Sequence, residues 1–261
     1  MASRYARIIE RIFTDKYRPG RKEFSFNRDE IVSTAKNLGI VLPKNLGDVI
    51  YSMRYRTDLP DAILSTAPID KEWIIEGAGH AKYRFRLTRA SHIAPRSNLI
   101  AIKVPDATPE IIGRYALGDE QALLAKVRYN RLIDVFLGVA AYSLQNHLRT
   151  SVPDLGQIEI DELYVGISRS GAQFIIPVQA KGGSDQLSTV QTRQDMAFCA
   201  ARFPELVCRP ISAQFMSQNA IALFELGEDG KDVAVVSERH YKLVPAKEIG
   251  PADLKKYAQR E

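Results

Sequence analysis

The spacing of apolar residues in the first third of the chain predicts three short helices. Residues 4–13 place their apolar side chains on one helical stripe, formed by Ile8, Ile9, Ile12 and Phe13. Asn27 caps a second helix, because Glu30 follows in capping-box position and Gly39 ends the apolar pattern. Residues 43–56 show helical spacing again and form the third predicted helix.

A hairpin follows these helices. Residues 73–76 and 82–87 are rich in β-forming side chains and flank a Gly-Ala-Gly-His turn. Period-two alternation in the second arm places Lys82, Arg84 and Arg86 on one strand face. The first third of the chain therefore predicts the order helix, helix, helix, hairpin.

The remaining residues alternate helices and strands beyond a Pro-containing segment at 90–108, which surrounds a short strand at 98–104. The later predicted elements are a helix at 119–148 capped by Asp119, a hairpin at 157–181, a helix at 188–203, strands at 208–217, 220–226 and 233–242, and a final helix from residue 251. This succession predicts an α+β protein (an α/β class fold) with two domains, residues 1–92 and 93–261.

The hairpin at 157–181 contains the main candidate chemistry. Its arms close around residues 169–172, which sets Asp161 opposite Ala180 and beside Gln179 and Lys181. A carboxylate, an amide oxygen and an ammonium together can hold a divalent cation such as Mg²⁺ and orient a water molecule. The sequence therefore predicts Asp161 and Gln179 as metal ligands, with Lys181 as the third catalytic residue.

Further acids are candidates to complete this site. Glu159 shares a strand face with Asp161, whereas Glu162 points to the opposite face unless a bulge intervenes. Asp134 and Glu120 lie on the preceding predicted helix. On the helix at 188–203, a polar ridge is formed by Gln191, Gln194 and Asp195. We expect this ridge either to hold Lys181 in position or to contact the DNA backbone.

The order helix, hairpin, helix and strands, together with Asp161, Gln179 and Lys181, resembles the PD-(D/E)XK nuclease superfamily over residues 119–217. The resemblance implies a restriction-endonuclease-like mixed β-sheet flanked by helices, a metal-binding Asp on the first hairpin arm, and a Glu-x-Lys or its Gln-x-Lys variant on the second. Ile160 stands where the family pattern has proline.

The N-terminal order resembles a winged helix-turn-helix domain, in which the third helix enters the major groove and the hairpin touches the DNA backbone. This resemblance implies DNA contacts in the matching segments and on the later polar ridge. The implied contact residues are Lys44, Asn45, Arg54, Arg56, Lys82, Arg84, Arg86 and Gln191. For the hairpin cations, an ordinary solvated strand face is the alternative interpretation.

Composition narrows the class of protein only slightly. The 261 residues have a net charge of +5, which is compatible with a polyanionic partner but common among other proteins. Two unpaired cysteines, the absence of an apolar leader and the lack of a spanning stretch predict a cytoplasmic protein without a membrane partner. Neither a GxGxxG nor a P-loop motif occurs, so no nucleotide cofactor is expected.

The sequence thus predicts a Mg²⁺-dependent type II restriction endonuclease that cuts double-stranded DNA as a homodimer, because cutting both strands calls for two active sites. Two alternatives stay open. One is a non-enzymatic winged-helix regulator, in which Asp161 and Lys181 would face different surfaces. The other is a structure-specific repair nuclease, distinguished by its preference for branched DNA.

Overall fold

The computed structural model describes residues 4–55, 57–89, 92–115, 120–152, 156–182, 187–216, 220–230 and 232–259. They form a mixed α+β fold in which helices flank a large mixed sheet, as the sequence predicts. A smaller sheet with its own helices precedes the large one along the chain. Within the described ranges, no helix combines the length and apolar character needed to cross a membrane.

The N-terminal module packs helices on a three-stranded sheet of order β1-β3-β2. Its elements are α1 (Arg4–Lys16), β1 (Glu23–Asn27), α2 (Arg28–Asn37), α3 (Gly47–Tyr55), α4 (Asp61–Leu64), β2 (Glu72–Gly77) and β3 (Lys82–Thr88). The predicted helices and hairpin are present, and the Asn27–Glu30 capping box begins α2 as predicted. The strand β1 and the helix α4 were not predicted.

An aromatic cluster forms the core of this module. The ring of Phe13 on α1 lies 5.2 Å from Trp73 and 5.1 Å from Phe85, edge to face in both cases. Phe24 of β1 packs 5.3 Å from Phe13, so the unpredicted strand contributes directly to the core. Edge-to-face aromatic pairs add to the stabilisation from burial, which explains how a small module holds α1 on its sheet.

The helix α3 begins at Gly47, four residues later than the pattern predicted. The side chain of Asn45 is the reason, because its Oδ1 accepts the Gly47 backbone N–H at 3.1 Å. Its Nδ2 also donates to Asp48 at 2.9 Å. Such side-chain bonds compete with helical backbone bonds, so residues 43–46 lie outside the helix.

The C-terminal module contains an eight-stranded mixed sheet, in which seven strands follow the order β5-β13-β12-β11-β8-β7-β6 and β10 pairs with β8. Its strands are β4 (His92–Ile93), β5 (Ile102–Pro105), β6 (Ala140–Val152), β7 (Gly156–Ile167), β8 (Gln173–Lys181), β9 (Leu187–Ser188), β10 (Val207–Cys208), β11 (Ile211–Phe215), β12 (Ala220–Asp229) and β13 (Asp232–Val244). Its helices are α5 (Glu110–Tyr115), α6 (Glu120–Tyr129), α7 (Leu132–Leu137), α8 (Thr189–Arg202) and α9 (Pro251–Ala258). The two short strands β4 and β9 pair with each other.

The prediction of one long helix at 119–148 is wrong. The chain breaks at Arg131, which has a positive φ of 49°, and α7 ends at Gly138, with φ 66°. Residues Ala140–Val152 instead form the edge strand β6, which pairs antiparallel with β7. Tertiary pairing with β7 overrides an apolar spacing that is locally compatible with a helix. The predicted cap, Asp119, lies outside the described residues.

Buried polar contacts join the N-terminal hairpin to the large sheet. Arg86 of β3 donates to Asp232 of β13 at 2.9 Å, and Thr88 donates to the same carboxylate oxygen at 2.8 Å. Burial opposes ionisation of Asp232, but the bonds from Arg86 and Thr88 outweigh it and lower its pKa. Arg193 of α8 lies 3.7 Å from Glu76 of β2. These contacts set how closely the two modules approach.

Candidate active site

The β7–β8 hairpin positions the candidate catalytic residues. Gly171 has a φ of 84°, a conformation that suits glycine in a tight turn, and Ser168 bonds to Ala172 across it at 2.9 Å. The β7–β8 ladder ends at the Glu162–Val178 pair, so the predicted pairing of Asp161 with Ala180 is off by one position. Asp161 instead reaches Ala180 through its side chain, because Oδ2 accepts the Ala180 backbone N–H at 2.8 Å.

Asp161 and Lys181 line one cleft between the two modules, with a volume of about 590 Å³. The large sheet and α8 form one wall, and α3 with the β2–β3 turn forms the other. The sheet side contributes Glu120, Arg149, Glu159, Asp161, Lys181, Gln191 and Gln194, and the opposite side contributes Arg28, Asn45, Asp48, Tyr51, Arg54, His80, Lys82 and Tyr83. Carboxylates therefore face a wall that contains, among the described residues, three cations, one carboxylate and two aromatic rings.

Asp161 has an unusual electrostatic environment. Burial is the main reason that its pKa rises from 3.8 to about 6. The Ala180 hydrogen bond and the charge of Lys181 oppose this rise, while the nearby carboxylates Glu120 and Glu159 favour it. A carboxyl with a strongly raised pKa in a cleft is a common mark of a functional site, because a metal ion or a substrate group can supply the missing stabilisation.

Lys181 reaches the same cleft and makes an ion pair with Glu120, whose Oε1 lies 2.9 Å from the ammonium. Burial alone would lower the pKa of Lys181, but the hydrogen bond and charge of Glu120, with a contribution from Asp161, raise it. The lysine is therefore held in its charged form beside two carboxylates. Of the two helical acids proposed from the sequence, Glu120 is the one that reaches the site.

Gln179 does not line the cleft. Its side chain is only 3% exposed, and its amide nitrogen donates to the Glu159 backbone oxygen and to Asp195 Oδ2, both at 2.9 Å. Gln191 approaches its amide oxygen at 3.5 Å. These contacts make Gln179 a link between β7 and α8 and contradict its prediction as an exposed metal ligand.

Glu159 lies at the edge of the cleft and is partly exposed. Its Oε1 lies 3.2 Å from both the imidazole of His147 and the guanidinium of Arg149 on β6. The sequence predicts that Glu159 and Asp161 lie on the same face of the strand. Their positions agree with this, since both side chains line the cleft. Its ion pairs lie at the surface, where such pairs add little stability.

Two other predicted acids lie elsewhere. Glu162 is 0% exposed and accepts hydrogen bonds from Arg128 at 2.7 Å and Ser143 at 2.8 Å, on the opposite face of β7 from Asp161. Asp134 accepts from Arg131 and from the backbone N–H of Ala141. Their prediction as catalytic residues is therefore wrong, because strand alternation and the end of α7 turn them away from the cleft.

The cleft contains two carboxylates of the kind that a hard divalent cation accepts as ligands, Asp161 and Glu120. Within the described ranges, no cluster of three or more His, Cys, Asp or Glu side chains is arranged for a metal. Mg²⁺ nevertheless needs only one or two carboxylates, because it retains several water ligands. Asp161 supplies one carboxylate, and Glu120 supplies a second next to Lys181. The fit depends on these two acids and not on Gln179.

The predicted DNA contacts divide into four groups. Asn45, Arg54, Lys82 and Gln191 line the cleft, whereas the exposed Lys44 precedes α3 and does not. Arg56 lies outside the described residues. Arg84 and Arg86 share a strand face as predicted, but Arg84 pairs with Glu76 at 2.6 Å and Arg86 is buried against Asp232. Arg86 therefore joins the two modules and Arg84 is paired within its own, whereas Lys82 on the same strand face lines the cleft, so Lys82 alone of the three is placed to meet a ligand there.

Comparisons of the chain with protein-family models, with curated proteins and with solved structures found no match.

Proposed function

We propose that this protein is a divalent-metal-dependent DNA endonuclease. The single observation that supports the proposal is that Asp161 and Lys181 line one cleft, with Glu120 paired to the lysine. A carboxylate that can bind a divalent cation, next to a charged lysine that can offset developing negative charge, is a combination suited to phosphodiester hydrolysis. The proposal includes the sequence-level resemblance to PD-(D/E)XK nucleases, with Glu120 replacing Gln179 as the second oxygen ligand.

Each residue has a distinct task in this scheme. Asp161 and Glu120 would hold Mg²⁺, which supplies Lewis-acid polarisation of the phosphate and lowers the pKa of a bound water. Lys181 donates hydrogen bonds to the non-bridging phosphate oxygens and balances the negative charge that grows on them. Buried Gln179 positions β7 against α8, so it acts through the orientation of Asp161 and not on the substrate.

The N-terminal module supports the assignment to DNA. The start of α2, the helix α3 and the β2–β3 hairpin form the wall that faces Asp161, and they supply Arg28, Arg54 and Lys82. Cations at such a wall would hold the phosphates on either side of the cleaved bond. Recognition and cleavage would therefore act on one stretch of DNA, and a restriction enzyme that cuts both strands would work as a homodimer.

The non-enzymatic alternative requires Asp161 and Lys181 to face different surfaces. Their common cleft weighs against it.

A plasmid-digestion assay tests the proposal. Wild-type protein should produce nicked or linear plasmid in Mg²⁺ and none in EDTA. Asp161→Asn and Lys181→Ala should each reduce the rate by at least about a hundredfold, the usual effect of removing one such stabilising group. The matched control is Asp15→Asn, which changes an exposed carboxylate paired with Arg11 on α1. Equal cutting by all variants would show that scission does not use this cleft.

A further inference from the structure

The wall of the cleft that faces Asp161 combines cations with aromatic rings. Tyr51 of α3 lies in the cleft and is 47% exposed, a large exposed fraction for an aromatic side chain on a helix that packs in a core. Tyr83 lies beside it, with the guanidinium carbon of Arg54 5.9 Å from its ring centroid. Lys82 and Arg28 line the same wall. Cations interleaved with aromatic rings are typical of surfaces that bind single-stranded nucleic acid.

Arg54 is the most informative residue of this wall. Its Nε and Nη2 atoms are buried and have no hydrogen-bond partner within the described ranges. A buried guanidinium donor without an acceptor is costly, and native proteins rarely leave one in that state. Arg54 also lines a second cavity of about 320 Å³, whose lining includes Trp73 of β2 and Val190 of α8. An anionic group that enters beside α3 would supply the missing acceptors.

The depth of the cleft and its exposed ring favour one strand over two. The volume of about 590 Å³ is that of a site for a molecule of nucleotide size. Lys181 lies deep in it, with a side chain only 12% exposed, so a phosphate must pass between the walls to reach it. In a duplex the bases are paired and stacked inside the helix, so none is free to stack on Tyr51 unless it is extruded.

The separation of the walls is fixed by buried contacts. Arg86 bonds to Asp232 with only 8% of its side chain exposed, and Glu76 faces Arg84, Arg86 and Arg193. Breaking a buried ion pair by moving one partner away is strongly unfavourable. The module that forms the cationic wall is therefore held close to the sheet, and the cleft does not widen by separation of the two modules.

We propose that the substrate segment in the cleft is an unpaired DNA strand. Its backbone would contact Arg54, Lys82 and Arg28, one base would stack on Tyr51, and the adjacent phosphate would reach Asp161 and Lys181. The inference rests on the proposed nuclease function and names its substrate class. A structure-specific nuclease, or an enzyme that extrudes a nucleotide from a duplex before cutting, meets this requirement.

The first experiment measures binding in EDTA, so that it does not depend on cleavage. Fluorescence anisotropy compares a labelled oligodeoxynucleotide as a single strand, as a blunt duplex and as RNA of the same sequence. The single DNA strand should bind at least about tenfold more tightly than the duplex, given the usual contribution of one stacked base. A duplex bound equally well would overturn the inference, and tighter binding of RNA would overturn the assignment to DNA.

The second experiment uses matched variants. Arg54→Gln should weaken single-strand binding by at least about tenfold and reduce the slope of log K against log salt by about 0.7. Its control is Arg11→Gln, an exposed arginine on α1 outside the cleft. Tyr51→Ala should lower affinity by a similar factor, with the 69% exposed Tyr115→Ala as its control. Equal effects of variants and controls would overturn the inference.

Thermal unfolding separates a binding role from a structural one. At equal concentration, a single-stranded oligonucleotide should raise the Tm of the wild type and of Arg11→Gln more than that of Arg54→Gln, because stabilisation by a ligand falls as its Kd rises. If Arg54→Gln does not fold, Arg54→Lys keeps the charge and loses the forked donors, and it should show the same loss of ligand-induced stabilisation. Single-strand binding without Mg²⁺-dependent scission would leave this inference standing and reject the nuclease.

Discussion

Asp161 and Glu162 are neighbours on β7, yet the two faces of the strand give them opposite environments. Glu162 is fully buried and bonds to Arg128 and Ser143, so its charge is matched within the fold. Asp161 lies in a cleft between two further carboxylates, and burial raises its pKa to about 6. The comparison teaches that a buried acid bonded directly to a cation inside the fold, as Glu162 is to Arg128, is structural, whereas an acid that lines a cleft with one backbone hydrogen bond, as Asp161 does, is a candidate for chemistry.

The largest expected effect on stability concerns Glu162, the structural member of this pair. Glu162→Ala leaves Arg128 and Ser143 without their common acceptor, and it should lower the free energy of unfolding by about 3 to 4 kcal/mol. Urea denaturation followed by circular dichroism measures this loss. A variant as stable as the wild type would show that Glu162 does not hold α6 to β7.

Asp161→Asn should have the opposite effect on stability and increase the free energy of unfolding. Because the pKa of Asp161 is raised from 3.8 to about 6, the folded state binds its proton more tightly than the unfolded state does. The stability that this proton provides is lost as the pH rises from about 4 to about 6. The neutral asparagine should therefore increase the free energy of unfolding by up to about 3 kcal/mol at pH 7 to 8.

The pH dependence is the internal control for this prediction. Below about pH 4 the wild-type carboxyl is protonated in both states, so the two proteins should have nearly equal stability. Denaturation curves of the two proteins at pH 4 and pH 8 give the comparison. A stabilisation of equal size at both pH values would mean that charge at Asp161 is not its cause.

A smaller effect is expected at Gln179, where the family resemblance and the structure disagree. Gln179→Glu would restore the Glu-x-Lys pattern, but a carboxylate cannot donate to the Glu159 backbone oxygen or to Asp195. We expect a loss of about 2 kcal/mol in stability and no gain in Mg²⁺ affinity. Calorimetric titration with Mg²⁺ and thermal denaturation test this, and tighter metal binding would return Gln179 to the list of ligands.

Local patterns were sufficient for much of the C-terminal module. The hairpin that joins Asp161 to Lys181 follows from β-forming arms and a Ser-Gly turn, and α8 begins where Ser188 caps it. The same reasoning failed for residues 138–148. Their apolar spacing is compatible with a helix, and only pairing with β7 makes them a strand.

Partners distant in sequence decided the roles of the charged residues. Alternation correctly put Arg84 and Arg86 on one face, but Asp232, 146 residues beyond Arg86, turns that face into an internal contact. Local spacing does not distinguish Glu120 from Asp134, because both lie on the same predicted helix. The ion pair of Glu120 with Lys181, 61 residues away, shows that Glu120 is the acid at the site. Short-range periodicity contains no information about such pairings.

By itself, the sequence determined the α+β class, most helices and strands, and the hairpin that unites an acid with a lysine, because these depend on spacing and turn residues within a few positions. The tertiary structure alone decided that α3 and Arg54 face Asp161 across a narrow cleft, that Glu120 joins Lys181, and that Gln179 is buried. The physical reason is that solvation and charge pairing depend on which distant segments meet, and those distances are set by the packing of the two modules.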